Sequence, residues 1–212
     1  MKKLILSTAY FPPVSYLKAM AGADRVYIEY HENYLKQTYR NRCQIPASNG
    51  ILSLTVPVKE GSFHKTAVRD LQIDYSGEWV RTHLRALKAA YNSSAFYEFY
   101  IDEISTILNS GNRYLLDMNM ELLLKMCEMT GVEAEITHTD QFVHSYTDMV
   151  DFRETITPGN RKKNSARDET PYFQVFSDKL GFIPDMSILD LLFNMGPESW
   201  SLLRTGTQLL LR

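Results

Sequence analysis

KLILSTAYFPPVSYLKAMAGADRVYIEY, residues 3–30, is the stretch on which the fold turns. Its opening, residues 3–7, is short and apolar, the pattern of a buried strand. Pro12 and Pro13 break that strand, and Pro13 suits the first position of a helix, where the missing N–H would have no partner anyway. Val14, Leu17, Met20 and Ala21 then recur at helical spacing, and Gly22 stops the run. Val26, Ile28 and Tyr30 alternate with Tyr27 and Glu29, as in a second strand. Strand, short helix, strand implies a parallel pair with a right-handed crossover. The expected class is therefore α/β, with α+β the neighbouring alternative, and the expected core is an N-terminal βαβ unit on a mixed, mostly parallel sheet.

Beyond this unit, residues 42–45 and 51–58 flank a turn-like 46–50 whose Asn49-Gly50 is a hairpin signal. Residues 68–74 read as a further strand. Helical patterns follow over about 78–91, 96–108 and 115–130, with Gly131 as a cap, and 132–137 reads as a return strand. The polar, Pro- and Gly-containing residues 157–170 are expected to form a flexible loop, a candidate lid. A strand over 171–176 and a helix from Ser187 to Gly196-Pro197 complete the reading; Ser187 and Asp190 resemble a capping box. No repeat or heptad is visible. The expectation is a single domain, 1–212, with a helical subregion at about 78–131.

The composition narrows the function classes. The chain has 212 residues, 44% hydrophobic and 23% charged, which excludes a mainly disordered protein. A net charge of −2 excludes a whole-molecule basic field, so no nucleic-acid partner is expected. No apolar run approaches the 18 or more residues of a membrane span. Leu4-Ile5-Leu6 is too short for a signal-peptide core, and Cys43 and Cys127 share no motif, so both read as reduced thiols in a cytoplasmic protein. The P-loop, GxGxxG, GxSxG and CxxC patterns are all missing from the sequence.

Four places could carry chemistry. The loop 7–16, with Tyr10 and Phe11, follows the first strand, and ligands of open α/β sheets sit beyond the carboxyl ends of strands. The N–H groups of the following helix could hold a phosphate or carboxylate there, or the aromatics and prolines could simply wedge the turn. His31, Glu32 and Asn33 follow the second strand, close to Arg40, Asn41 and Arg42. His31 or Glu32 could move a proton while Arg40 and Arg42, if residues 39–42 are extended, share a face and clamp an anion; the same residues also read as a solvated charged loop. His64-Lys65 could touch an anionic substrate or be solvent-exposed filler. Asp190 and Asn194, four apart on one helix face, could present polar groups to a ligand or satisfy a buried backbone group. The Arg81, Arg85, Lys88 stripe and Arg161-Lys162-Lys163 read mainly as solvated surface. His31-Glu32 lacks the second histidine of a zinc helix, and no metal site is expected.

Taken in order, Tyr10-Phe-Pro12, Ala23-Asp24, Tyr39-Arg-Asn-Arg42, Leu54-Thr-Val-Pro-Val58 and Ser187-Ile-Leu-Asp-Leu-Leu-Phe-Asn-Met-Gly196 resemble the WbqC-like family over about residues 4–198. The resemblance implies a bacterial protein encoded among genes for O-antigen and other surface polysaccharides, with a glycine-transferase role proposed for some members. Many members carry Gln-Pro where Ser7-Thr8 stand here, and Gly where Ser15 stands. The opening is also similar to that of the HIGH-motif nucleotidyltransferases, but its loop has no histidine. The implied function is a transferase that attaches an amino-acid or acyl group to an amino sugar, acting on a nucleotide-linked or lipid-linked sugar. His31 or Glu32 would be the base, Arg40, Arg42, His64 and Lys65 the anion-binding groups, and Tyr10 and Phe11 an aromatic wall. A non-catalytic binding or scaffold protein of such a pathway is the alternative. The cofactor and the oligomeric state are not readable from the sequence.

Overall fold

The computed structural model describes residues 1–59, 66–165 and 170–205. The N-terminal unit forms as expected: β1 (Lys3–Ser7), α1 (Val14–Ala21) and β2 (Arg25–Glu29), with β1 and β2 adjacent and parallel, Lys3 opposite Arg25 and Ser7 opposite Glu29. Leu4, Ile5, Leu6, Val26 and Ile28 are fully buried, which is what a parallel pair covered on both faces requires. Two more strands extend the sheet, β5 (Glu135–His138) against β2 and β6 (Val150–Asp151) against β1, both parallel. The strand order is β5-β2-β1-β6. This sheet is parallel throughout, so the fold is α/β.

Antiparallel pairing is confined to a separate hairpin, β3 (Arg42–Ala47) with β4 (Gly50–Thr55). Its ladder runs through Pro46, which pairs with Ile51, and leaves only Ser48-Asn49 as the loop; the turn is tighter than residues 46–50 suggested. Gly50 at φ +119 supplies the conformation that closes it.

The helical subregion consists of α2 (Trp79–Tyr91), α3 (Tyr97–Leu108) and α4 (Leu115–Thr130), the last stopped by Gly131 in a left-handed cap. After β6 come α5 (Arg161–Ser165), α6 (Ser177–Leu180), α7 (Ile188–Met195) and α8 (Ser199–Arg204). α7 is the hub of the core: it packs against α1, α2, α3, α4 and α8, and every residue from Ile188 to Asn194 is buried. Ser187 caps it, its hydroxyl accepting the Leu189 N–H at 3.3 Å.

Three expectations are corrected. Residues 68–74 form a single 3-10 turn and isolated bridges, not a strand. No strand forms over 171–176, because Gln174 turns inward to bond Ile183 and Asp190. Residues 158–165 are not a bare polar loop but a 3-10 turn running into α5, with Asn164 buried and its Nδ2 donating to the Thr155 carbonyl at 3.0 Å. Residues 166–169 lie outside the described residues. Among the described residues no helix is long and apolar enough to cross a membrane.

Candidate functional site

From β1 the chain steps to β2 and β5 on one side and reaches β6 on the other, so the strand order switches between β1 and β6. Open α/β sheets bind ligands beyond the carboxyl ends of strands at such a point. Here the strand ends bring together Ser7, Glu29, Thr139, Asp151 and Arg153, and two linked Glu–Arg clusters form over them.

The first cluster is Glu32, Arg40 and Ser7. Glu32 and Arg40 are 6% and 5% exposed. The Arg40 guanidinium forks onto the carboxylate, Nε donating to Oε1 at 2.8 Å and Nη2 to Oε2. Nη2 also donates to Ser7 Oγ at 2.9 Å, and the Ser7 hydroxyl donates to Glu32 Oε2 at 3.0 Å. Burial raises the Glu32 pKa; Arg40 and Ser7 pull it back only in part. Asn119 holds the turn from below, its Nδ2 donating to the Arg40 carbonyl at 2.7 Å and to Thr8 Oγ1 at 3.2 Å.

Glu29, the last residue of β2, centres the second cluster and is wholly buried. Its Oε1 accepts the Thr139 hydroxyl at 2.7 Å and the His31 N–H at 2.8 Å. Its Oε2 accepts Nη1 of Arg153 at 3.0 Å. Arg153 also forks onto Asp151 and lies 5.2 Å from the ring centres of both Phe142 and Tyr146. His31 stands alongside. Its Nε2 is 3.0 Å from the Thr139 carbonyl, which can only accept, and its Nδ1 is 2.8 Å from an Arg69 guanidinium N–H, which can only donate. Those partners select the neutral ring with the proton on Nε2.

Between the clusters runs a cleft lined by Ser7, Thr8, Tyr16, Arg40, Phe152 and Arg153, with about 10 Å³ open to water. That is room for roughly one water molecule. Glu32 binds Arg40 directly, and Glu29 and Asp151 bind Arg153, so each guanidinium is already engaged. An anion entering here has to exchange with a carboxylate.

The structure brings His31, Glu32 and Arg40 together and separates the other expected residues from them. Tyr10 and Phe11 are buried, and Tyr10 Oη bonds His83 Nδ1 at 2.9 Å inside the core; neither ring offers a wall to a ligand. Their apolar bulk, placed after a strand, is used for packing. Residues 39–42 are not extended: Tyr39 and Arg40 lie in a turn and only Arg42 enters β3, where its Nε donates to Thr55 Oγ1 at 3.2 Å. Arg40 and Arg42 therefore diverge and form no shared clamp. Asn41 is a buried structural residue, donating to the Val56 carbonyl at 2.8 Å, and exposed Asn33 bridges to Ala67 through the backbone. Asp190 and Asn194 face the core. Asp190 accepts the hydroxyls of Tyr91 and Tyr172 and the amide of Gln174, and burial pushes its pKa up to about 6. Asn194 bonds back to the Asp190 carbonyl at 2.7 Å. His64 and Lys65 lie outside the described residues.

The N-terminus of α1, expected to hold an anion, is already occupied by one. The Asp185 carboxylate accepts the Ser15 N–H at 2.8 Å, and the Met186 carbonyl accepts that of Val14 at 2.9 Å. Burial raises the Asp185 pKa to about 6.

Glu29, Thr139, Asp151 and Arg153 are missing from the sequence-derived set, and Ser7 entered it only as the first residue of the 7–16 loop. Glu29 left one signal, an acid on an otherwise apolar strand. Arg153 left none, because the two-residue β6 has no readable periodicity.

Comparison with known proteins adds three findings. No solved structure matches. The chain is 30% identical to the uncharacterized protein Rv1507c of Mycobacterium tuberculosis, over 96% of this chain and 98% of that one. Residues 8–158 match the WbqC-like protein family, a span that contains Glu29, His31, Glu32, Arg40, Thr139, Asp151 and Arg153 and leaves out α7. All of the sheet but β1, the hairpin, the helical subregion and both Glu–Arg clusters except Ser7 thus fall within the match, and the chain belongs to the WbqC-like protein family.

Proposed function

We propose that this protein is a transferase of surface-polysaccharide biosynthesis, attaching an amino-acid or acyl group to the amino sugar of a nucleotide-linked or lipid-linked precursor, with its site at the β1/β6 switch. The pathway and the reaction class rest on the family resemblance. The site rests on one observation: two nearly inaccessible Glu–Arg pairs sit side by side at the carboxyl edge of a parallel sheet. Burying such pairs costs several kcal/mol of desolvation per ion, which an apolar core would avoid. Function is the natural reason to keep them where ligands of this architecture bind.

The chemistry follows from exchange. A substrate phosphate or carboxylate competes with Glu32 for Arg40 and is gripped by the same fork. The released Glu32, in a site where burial already favours its protonated form, takes the proton of the attacking amine as the amide bond forms and the donor's acyl bond to its activating group breaks, that group departing with the electron pair. His31 is a less direct base in this arrangement, since both ring nitrogens are engaged. Glu29 holds Arg153 and the His31 backbone in place. The alternative is a non-catalytic binding or scaffold protein of the same pathway.

A thermal-shift screen of nucleotide sugars, nucleotides, amino acids and amino sugars tests the site. A ligand at about 100 times its Kd should add roughly 2.7 kcal/mol of stability. Arg40→Lys should weaken that ligand about 10- to 150-fold, the loss of a charged hydrogen bond. Equal affinity in the parent and Arg40→Lys rules out the exchange. Binding with no product formed favours the binding protein over the transferase.

A further inference from the structure

A connection of only a few residues, 92–96, turns the chain from α2 back along α3, so the two helices lie side by side as an antiparallel pair. Along their outer face runs an open groove of about 710 Å³. α2 lines it with Arg81, Leu84, Arg85 and Lys88, and α3 with Glu98, Ile101, Asp102 and Ser105, each at the i, i+3, i+4, i+7 spacing of one helix face. One wall is basic and the other acidic, over a half-buried floor of Leu84 and Ile101.

The walls do not neutralise each other. Among the described residues Arg85, Lys88, Glu98 and Asp102 enter no ion pair, and Arg81 reaches only Glu78 on its own helix, at 3.1 Å. The groove is thus half-apolar at its base and lined with unused opposite charges.

We propose that this face is the interface of a homodimer. A surface with a basic stripe beside a parallel acidic stripe is complementary to itself when the two-fold axis runs along the helices. That operation lays each basic wall over the acidic wall of the other copy, and leaves the levels along the helix axis unchanged. Arg85 then meets the partner's Asp102 and Lys88 meets the partner's Glu98, along the walls of the two facing grooves. The in-plane axis perpendicular to the helices sets like charge against like. Helices of 13 and 12 residues give a footprint on the order of 20 Å by 20 Å per copy. That buries about 800 Å² in total, below the range of stable interfaces, so the dimer is a weak, transient one.

Sedimentation velocity of the whole chain across the micromolar range tests this. The parent should show a concentration-dependent monomer–dimer equilibrium that weakens with added salt. Arg85→Glu with Lys88→Glu should give a monomer with unchanged circular dichroism, because these side chains are exposed, and so should Glu98→Lys with Asp102→Lys. Mixed in equal amounts, the two charge-reversed variants should dimerise again, since both contacts of the mixed pair become opposite in sign. A parent that stays monomeric at every concentration overturns the proposal. So do variants that dimerise as the parent does, and so does a mixture that remains monomeric.

Discussion

Removing Arg40 and removing Glu32 should have different costs, and the difference should depend on pH. In the parent the two groups neutralise each other at about 5% and 6% exposure. Arg40→Met leaves the Glu32 carboxyl in a site where burial already raises its pKa. An uncompensated buried partner costs about 3–5 kcal/mol, or a fall in Tm of roughly 6–20 °C for a chain of this size. The carboxyl can escape by taking a proton. Its folded pKa then lies further above the unfolded value, so the native state binds the proton more tightly and the destabilisation shrinks as pH falls. The slope approaches about 1.4 kcal/mol per pH unit between the unfolded and folded pKa values and vanishes below the unfolded one. Glu32→Leu leaves a guanidinium that cannot neutralise in this range and removes the parent's own titrating carboxyl, whose raised pKa stabilises the parent as pH falls, so its cost should grow toward acid pH. The double variant Glu32→Leu/Arg40→Met removes both ions and should recover to within about 1–2 kcal/mol of the parent. A double-mutant cycle from urea unfolding, followed by far-UV circular dichroism at pH 7 and pH 5, reads all of this. Single variants that cost under about 1 kcal/mol would mean the pair is solvated. An additive double variant, or an Arg40→Met cost that does not move with pH, would refute the reasoning from burial.

Two further outcomes follow from groups away from the cleft. The Asp185 pKa is raised from 3.8 to about 6, so its native state binds the proton more tightly, and stability falls as pH rises through that window. Asp185→Asn keeps an oxygen for the Ser15 N–H, tolerates the φ of +52 at this position, and removes the proton. It should therefore be more stable than the parent at pH 7 by about 1–3 kcal/mol and show a shallower pH profile between about 4 and 6 in thermal melts, Asp190 supplying the remainder. A profile parallel to the parent's would contradict this. Gly196→Ala should cost about 2–4 kcal/mol, because φ is +52 and the new Cβ would lie 2.5 Å from Phe96 Cδ1. A Tm within a degree of the parent's would show that the α7 terminus yields more easily than its packing implies.

The sequence alone determined the elements whose signals are local. Pro12-Pro13 between two apolar runs, with Gly22 between helix and strand, made the parallel β1–α1–β2 unit the natural reading. Helical periodicity located α2, α3 and α4, and Asn49-Gly50 marked the hairpin. Of the candidate site, Glu32 and Arg40 were legible as a charged cluster after the second strand. Their locking onto each other was not, because a spacing of eight residues in a loop leaves their mutual geometry open. The tertiary structure decided everything that depends on partners distant in the chain. Arg153 reaches Glu29 across 124 residues, Asn119 reaches Arg40 across 79, and Asp185 closes the α1 terminus from 170 residues away. It also turned Tyr10, Phe11, Asp190 and Asn194 inward, since α7 runs through the centre of the core and every polar group on it needs an internal partner. Turn chemistry and periodicity act over a few residues and can be read in order. Which strand ends meet depends on how the sheet is wound, and no single segment carries that information.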